Sequence, residues 1–175
     1  MVKNDELLFV VDDENNPIEP KPRSFVHQNN LWHRTSHIWI INKNKEILCH
    51  QRSMKVETSP GNWDPYCGGH LGPGVSYIEG ALKELKEELG IAAEEKELSF
   101  FKVYKNQTNW EFQGIFYMTW EGDSTTLHTQ ENEVEQLQWF PLVDVWSTIV
   151  LEKKEGWSNI EYAENILEWL INLSI

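Results

Sequence analysis

The stretch GHLGPGVSYIEGALKELKEELGI, residues 69–91, joins a glycine-rich loop directly to an amphipathic helix. Ser76 and Glu79 have the spacing of a capping box, which predicts that the helix begins there. Gly90 stands where a helix of this length would end, because glycine readily adopts the left-handed conformation of a C-terminal cap. The apolar stripe that predicts the buried face of the helix is Ile78, Leu82, Leu85 and Leu89.

The same helix carries three glutamates at positions i, i+3 and i+4: Glu84, Glu87 and Glu88. Like charges at this spacing destabilise an isolated helix by about 0.2–0.5 kcal/mol per pair. Carboxylate oxygens are the ligands that Mg²⁺ and Mn²⁺ prefer, so the cluster is a candidate metal site. A solvated, charged helix face is the alternative interpretation.

Outward from this helix, the pattern predicts strands alternating with helices, and hence one mixed α/β domain. The glycine, proline and asparagine clusters between them predict turns and loops, including the loop at 55–65. Strands are predicted at 6–11, around Ile18, at 37–41, 46–50, 98–105 and 110–120, with a turn and short strand within 131–142, and helices at 142–151 and 159–173.

The chain of 175 residues has a formal net charge of −13, and its acidic residues are spread along the sequence. Such a surface repels nucleic-acid phosphates and anionic lipid, which excludes nucleic acid and membrane as expected partners and leaves small molecules. The arginines Arg23, Arg34 and Arg52 all precede the acidic helix. They are either scattered surface charges or contacts for an anionic ligand.

Two cysteines, Cys49 and Cys67, are too few for a disulfide framework and have no zinc-site spacing. The N-terminal apolar run is short and flanked by acids, unlike a signal peptide or a membrane span. We therefore expect a cytoplasmic protein.

Residues 69–91 resemble the Nudix box, whose pattern is Gly, five residues, Glu, seven residues, Arg-Glu, an aliphatic residue, any residue, Glu-Glu, any residue, Gly, and an aliphatic residue. Seven of its nine positions match, with Val75 in the place of the first glutamate and Lys83 in the place of the arginine. The flanking segments WHRTSHIWI, QRS, GNWDP and ENEVEQLQWFPL resemble relatives of the isopentenyl-diphosphate-isomerase type. The matching positions are Gly69, Glu84, Leu85, Glu87, Glu88, Gly90 and Ile91.

The resemblance implies an α/β/α sandwich with a mixed β-sheet, as one domain over 1–175. Within it we expect an N-terminal strand pair and lead-in at 1–29, the core at 30–150 and a C-terminal helix at 158–173. It also implies metal-dependent hydrolysis of a diphosphate linkage in a small nucleoside-diphosphate-type substrate, with Mg²⁺ or Mn²⁺ as cofactor.

The implied site residues fall into three groups. Candidate catalytic residues are the three helix glutamates and Glu133, with Glu84, Glu111, Glu131 and Glu133 as alternatives for the general base. Candidate metal ligands are Gly69, through its carbonyl oxygen, the helix glutamates and Glu111. Candidate substrate-binding residues are Arg34, Arg52, Lys55 and His70.

Two other functions remain open. An isopentenyl-diphosphate isomerase would use histidines as metal ligands, and His33, His70 and Glu111 match such positions, with His27 nearby. That isomerase needs a cysteine immediately before the box glycine, where this chain has Gly68. A catalytically silent binding module is the second alternative, favoured by the departures from the box.

Nine tryptophans are mostly expected in the core, although Trp32, Trp63 and Trp110 lie near the expected site and could line a pocket. The aromatic C-terminal helix and the N-terminal strand pair are a possible homodimer contact.

Overall fold

The computed structural model describes residues 6–56, 58–127, 129, 132–158 and 160–174. None of the helices it describes is long and apolar enough to cross a membrane. The elements are β1 (Leu7–Leu8), β2 (Lys21–Pro22), α1 (Arg23–Gln28), β3 (His33–Ile41), β4 (Glu46–Arg52), β5 (Trp63–Asp64), β6 (Cys67–His70), α2 (Tyr77–Leu89), β7 (Ser99–Asn106), β8 (Glu111–Thr119), β9 (Val134–Pro141), α3 (Leu142–Trp146) and α4 (Ala163–Asn172).

Strand β3 organises the main sheet, since it pairs with three other strands. One edge runs parallel to β8 along its whole length. The other edge pairs antiparallel with β6 at one end and with β4 at the other. The remaining strands extend this sheet: β7 pairs with β8, while β5 and β9 pair with β4. The sheet is therefore mixed, and β3 and β4 are longer than the sequence predicts.

Helices cover both sides of this sheet, because side chains alternate between the two faces of a strand. Ile38 and Ile40 of β3 pack on one face with Leu85 of helix α2. Trp39 and Ile41 pack on the opposite face with α3 and α4. Each such buried side chain contributes about 1.5–3 kcal/mol of hydrophobic stabilisation. The predicted α/β/α sandwich is confirmed.

Helix α2 forms where the sequence predicts it. The Ser76 side chain accepts a hydrogen bond from the Glu79 backbone N–H, and the Glu79 carboxylate accepts one from the backbone N–H of Ser76, which completes the capping box. At the other end Gly90 is left-handed, with φ of 72°. Leu85 and Leu89 are fully buried, while Ile78 and Leu82 pack at the margin of the core. The apolar stripe thus fixes how the helix rotates over the sheet.

The N-terminal segment differs from the expected strand at 6–11. Only Leu7–Leu8 forms a strand, because the chain then changes partners: Val10 bridges to His33, and Val11 to Pro17. The expected lead-in also contains an unpredicted helix, α1 (Arg23–Gln28), in which Val26 is the buried residue. With one buried side chain, this helix leaves no periodic signal in the sequence.

The C-terminal helices are shorter than the predicted spans 142–151 and 158–173. Helix α3 ends at Trp146 and continues as a π-helical turn to Leu151. Helix α4 begins only at Ala163. Before it, Trp157 bridges to Trp63 of β5, and the N–H of residue 158 donates to the carbonyl of Trp63. The prediction of helix from residue 158 is therefore wrong, since this segment is bound to a strand.

Candidate functional site

The helix glutamates approach the glycine-rich strand β6 directly. A Cβ atom built on Gly69 would lie 2.6–2.7 Å from the carboxyl atoms of Glu84. Glycine at this position therefore leaves the space that the carboxylate occupies, next to the backbone of β6. Opposite Gly69 on the neighbouring strand is Ser36, so β6 is held against β3 at this point.

Glu88 lies one helical turn further on and also contacts β6. Its carboxylate accepts a hydrogen bond of 3.2 Å from the backbone N–H of Gly68. Burial raises the pKa of Glu88 to about 8, and the negative charges of Glu84, Glu133 and Asp64 add to this shift. Several carboxylates therefore share a poorly solvated region, which makes ionisation of Glu88 unfavourable without a cation.

Glu87 lies further out on the same helix, with 49% of its side chain exposed. The ammonium of Lys83 lies 3.2 Å from the Glu87 carboxylate and 3.5 Å from that of Glu84. The Nudix-box pattern that residues 69–91 resemble has an arginine at this position and a glutamate at the position of Val75. Lys83 turns instead to the glutamates themselves. We refer to Glu84, Glu87 and Glu88, together with Gly68 and Gly69, as the glutamate site.

Arg52 is held by Asp64, a buried carboxylate whose charge acts on Glu88. Its Nη1 donates to Asp64 Oδ2 at 3.0 Å, and its Nε donates to the Thr58 carbonyl at 2.9 Å. His50 Nε2 lies 3.5 Å from the same Asp64 oxygen. Asp64 is 2% exposed, and its second oxygen has no hydrogen-bond partner among the described residues. Asp64 thus fixes the orientation of the guanidinium.

Glu133 and Lys55 come from loops on the same side of the sheet. The N–H of Ser53 donates to the Glu133 carbonyl at 2.9 Å, which ties the end of β4 to the segment before β9. The Lys55 ammonium lies 3.4 Å from the side-chain oxygen of Asn132. The alternative base Glu131 lies outside the described residues.

Arg34 lies apart from these cations and braces the N-terminal segment. Its Nε donates to Asn15 Oδ1 at 2.8 Å, and its Nη2 donates to the Asn15 carbonyl at 2.7 Å. The guanidinium also lies 4.5 Å from the ring centre of Phe9 and 5.3 Å from that of Tyr77. The structure therefore gives Arg34 a packing role and does not bring it to the glutamate site.

His70, the residue after Gly69, points to the opposite face of the sheet and joins two other imidazoles. The ligand nitrogens of His27, His33 and His70 all lie within 4.8 Å of one another. His27 Nε2 lies 3.1 Å from His70 Nε2, and the rings of His33 and His70 stack with centroids 5.1 Å apart. Three imidazoles this close are a candidate metal site.

Glu111 belongs with these histidines, because β3 and β8 pair in register at His33 and Glu111. Its Oε1 lies 3.7 Å from His33 Nε2 and 4.0 Å from His70 Nε2. Gln113 donates from Nε2 to the other Glu111 oxygen at 2.6 Å. Expected as a ligand alongside the helix glutamates, Glu111 instead lies on the other face of the sheet. We call His27, His33, His70 and Glu111 the histidine group.

The histidine group is arranged to present neutral nitrogens. His33 Nδ1 donates to the Leu31 carbonyl at 2.8 Å, which leaves Nε2 as an acceptor. That Nε2 is buried without a hydrogen-bond partner in the described parts of the chain. Burial lowers the pKa of His33 to about 4 and that of His70 well below its usual value. Burial also raises the pKa of Glu111 to about 7.

The chain does not have the cysteine that an isomerase requires immediately before Gly69. Cys67 is buried in the core beneath helix α2, on the face opposite the histidine group. At position 68 a Cβ atom would collide with the carbonyl oxygen of Ser36. This backbone therefore admits only glycine immediately before the box glycine.

Two residues that sequence reasoning did not assign complete these regions: Asp64, which orients Arg52, and Gln113, which binds Glu111. Asp64 lies in the GNWDP segment, but its position opposite His50 depends on the pairing of β5 with β4. The parallel register of β3 and β8, which places Gln113, has no sequence signal that we can identify.

A family model and several curated proteins match the sequence of this chain. The family model described as the NUDIX domain matches residues 31–164. An uncharacterised Nudix hydrolase of Clostridium acetobutylicum is 34% identical over 106 residues, covering 59% of this chain and 51% of the relative. An isopentenyl-diphosphate Delta-isomerase of Serratia proteamaculans is 36% identical over 97 residues, covering 55% and 54%. The chain spans about half the length of these curated relatives.

Solved structures show the same fold at low sequence identity. A crystal structure from Deinococcus radiodurans aligns with a TM-score of 0.74 at 16% identity, covering 94% of this chain and 99% of that one. A NUDIX hydrolase from Alicyclobacillus acidocaldarius aligns with a TM-score of 0.63 at 14% identity, covering 81% and 92%. At this level of sequence identity, the alignments show a shared fold.

Proposed function

Because the chain belongs to the Nudix family, we propose that it is a metal-dependent hydrolase that cleaves a diphosphate linkage in a small nucleoside-diphosphate-type substrate. The observation that carries the proposal is the contact of Glu84 and Glu88 with the two glycines of β6. It sets two carboxylates against strand backbone, where a hard divalent cation finds oxygen ligands.

The residues of the glutamate site fit Mg²⁺ or Mn²⁺. Glu84, Glu87 and Glu88 would hold the ion, together with the carbonyl oxygen of Gly69. The raised pKa of Glu88 reflects burial and charge repulsion, both of which a bound cation would offset. When bound, the ion would neutralise the diphosphate and acidify a water molecule.

The remaining residues bind substrate and move the proton. Arg52, oriented by Asp64, would donate hydrogen bonds to a diphosphate oxygen, and Lys55 would add a second positive charge. We assign the general base to Glu133, because its charge acts on Glu88 while Glu111 lies on the other face of the sheet. No protein nucleophile is required, since water attacks phosphorus.

The test is turnover of a substrate panel by purified protein. Nucleoside, sugar, coenzyme and isoprenoid diphosphates are each incubated with the protein and Mg²⁺, and with EDTA as the control. We expect hydrolysis of at least one nucleoside diphosphate derivative, abolished by EDTA. If no compound were hydrolysed and Mg²⁺ had no effect on the protein, a catalytically silent binding module would replace this proposal. The substitution of Val75 and Lys83 for the glutamate and arginine of the box pattern would support that interpretation.

A second candidate function is isomerisation of isopentenyl diphosphate, which the histidine group favours. The buried position of Cys67 and the steric exclusion of a side chain at Gly68 count against it. The same substrate panel distinguishes the two functions. The isomerase would be supported if the protein isomerised isopentenyl diphosphate and a Cys67→Ala substitution abolished that activity. Hydrolysis without isomerisation would support the first proposal.

A further inference from the structure

A cleft of about 470 Å³ opens near the start of β3, beside the histidine group, since Trp32 and Trp110 of its lining directly precede His33 and Glu111. Binding sites for small molecules commonly span about 300–1,000 Å³. The cleft lies between the loop after β1 and the turn that joins β7 to β8. Its lining residues are Asp13, Trp32, Lys105, Gln107 and Trp110.

Trp110 occupies a backbone conformation that does not suit its side chain. Its φ is +58°, in the left-handed region where glycine and asparagine are the ordinary residues. The turn needs this conformation, since the Trp110 carbonyl accepts a hydrogen bond of 3.0 Å from the N–H of His33. A small residue could form this turn equally well, yet the residue present is a tryptophan that is 37% exposed. Strain of this kind at a surface aromatic side chain points to a role in binding.

The other walls of the cleft combine aromatic faces with polar groups. Trp32 and Trp110 meet edge to face, with ring centroids 5.1 Å apart, and Trp32 lies 5.1 Å from Phe112 behind it. The Lys105 ammonium lies 4.6 Å from the Trp32 ring centre and contacts the Asp13 carbonyl. The cleft therefore offers an exposed indole, a carboxylate, an amide and a positive charge within one depression.

We propose that this cleft binds the base of a mononucleotide. The ring would stack on the indole of Trp110, because a π face stacks on tryptophan whatever the base. The Gln107 amide and the Asp13 carboxylate can exchange hydrogen bonds with the edge of the base, and the Lys105 ammonium can bind a phosphate. A net charge of −13 disfavours a long nucleic acid and leaves a single nucleotide as the ligand.

Binding is measured by titration calorimetry in EDTA, with the monophosphates of adenosine, guanosine, cytidine and uridine. Ribose 5-phosphate, which lacks the base, is the ligand control. Without metal and without a diphosphate, the result does not depend on hydrolysis at the glutamate site. We expect at least one mononucleotide to bind about tenfold or more tightly than ribose 5-phosphate.

Trp110→Gly separates binding from structure, because glycine suits the left-handed backbone. Glycine relieves the backbone strain but loses the contact with Trp32, so we expect the variant to remain folded with a Tm within a few degrees of wild type, and to lose affinity by about tenfold or more. Phe100→Ala removes another exposed aromatic side chain, on β7, and should leave affinity unchanged. Lys105→Met should weaken mononucleotides more than the corresponding nucleosides. The proposal is overturned if no mononucleotide binds more tightly than ribose 5-phosphate, or if Trp110→Gly binds as wild type.

The base could belong to the hydrolysed substrate or to a separate nucleotide, and kinetics distinguish them. If it belongs to the substrate, Trp110→Gly should raise KM for a nucleoside diphosphate derivative and leave KM for an isoprenoid diphosphate unchanged. If it belongs to a separate nucleotide, Trp110→Gly should lose mononucleotide binding with both KM values unchanged. Either result identifies the source of a base bound at this cleft.

Discussion

The glutamate site and the histidine group use neighbouring residues of one strand for opposite chemistry. Gly69 of β6 faces helix α2 and makes room for Glu84, whereas His70 faces the other side and meets His27. On the first side, burial and then the neighbouring negative charges raise the pKa of Glu88. On the second side, burial keeps the imidazoles neutral.

The difference shows how the two faces of one sheet can carry ligand groups that prefer different metals. Carboxylates suit the hard ions Mg²⁺ and Mn²⁺, while imidazoles suit Zn²⁺ and other transition metals. Each region has a buried polar atom without a hydrogen-bond partner within the described chain: Asp64 Oδ1, whose carboxylate acts on Glu88, and His33 Nε2 of the histidine group. We expect the two regions to respond independently to substitution.

The largest expected effect is on catalysis by the glutamate site. Glu88→Gln should lower kcat/KM for hydrolysis by about 100-fold or more, because metal-assisted charge stabilisation supplies several kcal/mol and each 1.36 kcal/mol is tenfold in rate. Steady-state kinetics measure this, with the exposed Glu155→Gln as the matched control. A Glu88→Gln enzyme with full activity would refute the assignment of the site.

A second effect concerns the metal selectivity of the histidine group. His33→Ala should weaken Zn²⁺ binding by at least about tenfold, since it removes a neutral imidazole ligand, and should leave Mg²⁺ binding unchanged. Titration calorimetry with each ion measures both. Glu88→Gln is the reciprocal control: it should weaken Mg²⁺ binding and leave Zn²⁺ binding unchanged. Equal loss of both ions in either variant would mean that the regions form one site.

A smaller effect is expected in the pH dependence of stability. The pKa of Glu88 is about 8 in the folded protein and near 4.5 in the unfolded chain, so the folded state binds more protons between these values and becomes less stable as pH rises. Between about pH 6.5 and 8, metal-free protein should lose on the order of 1 kcal/mol, or about 2–4 °C in Tm.

Calorimetric melting curves at several pH values test this decrease. Glu111, with a pKa of about 7, adds to this decrease, whereas His33, with a pKa of about 4 when folded and 6.5 when unfolded, opposes it near pH 6.5. Glu88→Gln, or saturating Mg²⁺ with wild type, should make the decrease shallower, and the difference from metal-free wild type is the contribution of Glu88. An equally steep decrease in Glu88→Gln would assign it to other groups.

The smallest effect is expected at Lys83. Lys83→Ala removes a positive charge 3.5 Å from Glu84 and 3.2 Å from Glu87, so Mg²⁺ affinity should rise about two- to threefold. Lys86→Ala, on the exposed surface of the same helix, is the matched control. Magnesium titration of both variants measures the difference. Weaker Mg²⁺ binding by Lys83→Ala would show that Lys83 supports the site.

Sequence predicted helix α2 and both of its caps correctly, because the signals for them lie within residues 69–91, whereas metal binding by its glutamates stays a prediction. The resemblance to the isomerase grouped His33, His70 and Glu111, with His27 nearby, whereas the parallel register of β3 with β8 that brings Glu111 to the histidines has no sequence signal of its own. Strand β8 is buried on both faces, so its sequence does not reveal which layer Glu111 faces. The short helix α1, which carries His27, leaves no periodic pattern.

The most direct test of the central claim is anomalous diffraction from crystals soaked in Mn²⁺. The account predicts a manganese peak bounded by the carboxylates of Glu84 and Glu88 and the carbonyl oxygen of Gly69, absent in Glu88→Gln crystals. No peak there at saturating Mn²⁺, with these carboxylates turned into solvent, would contradict it.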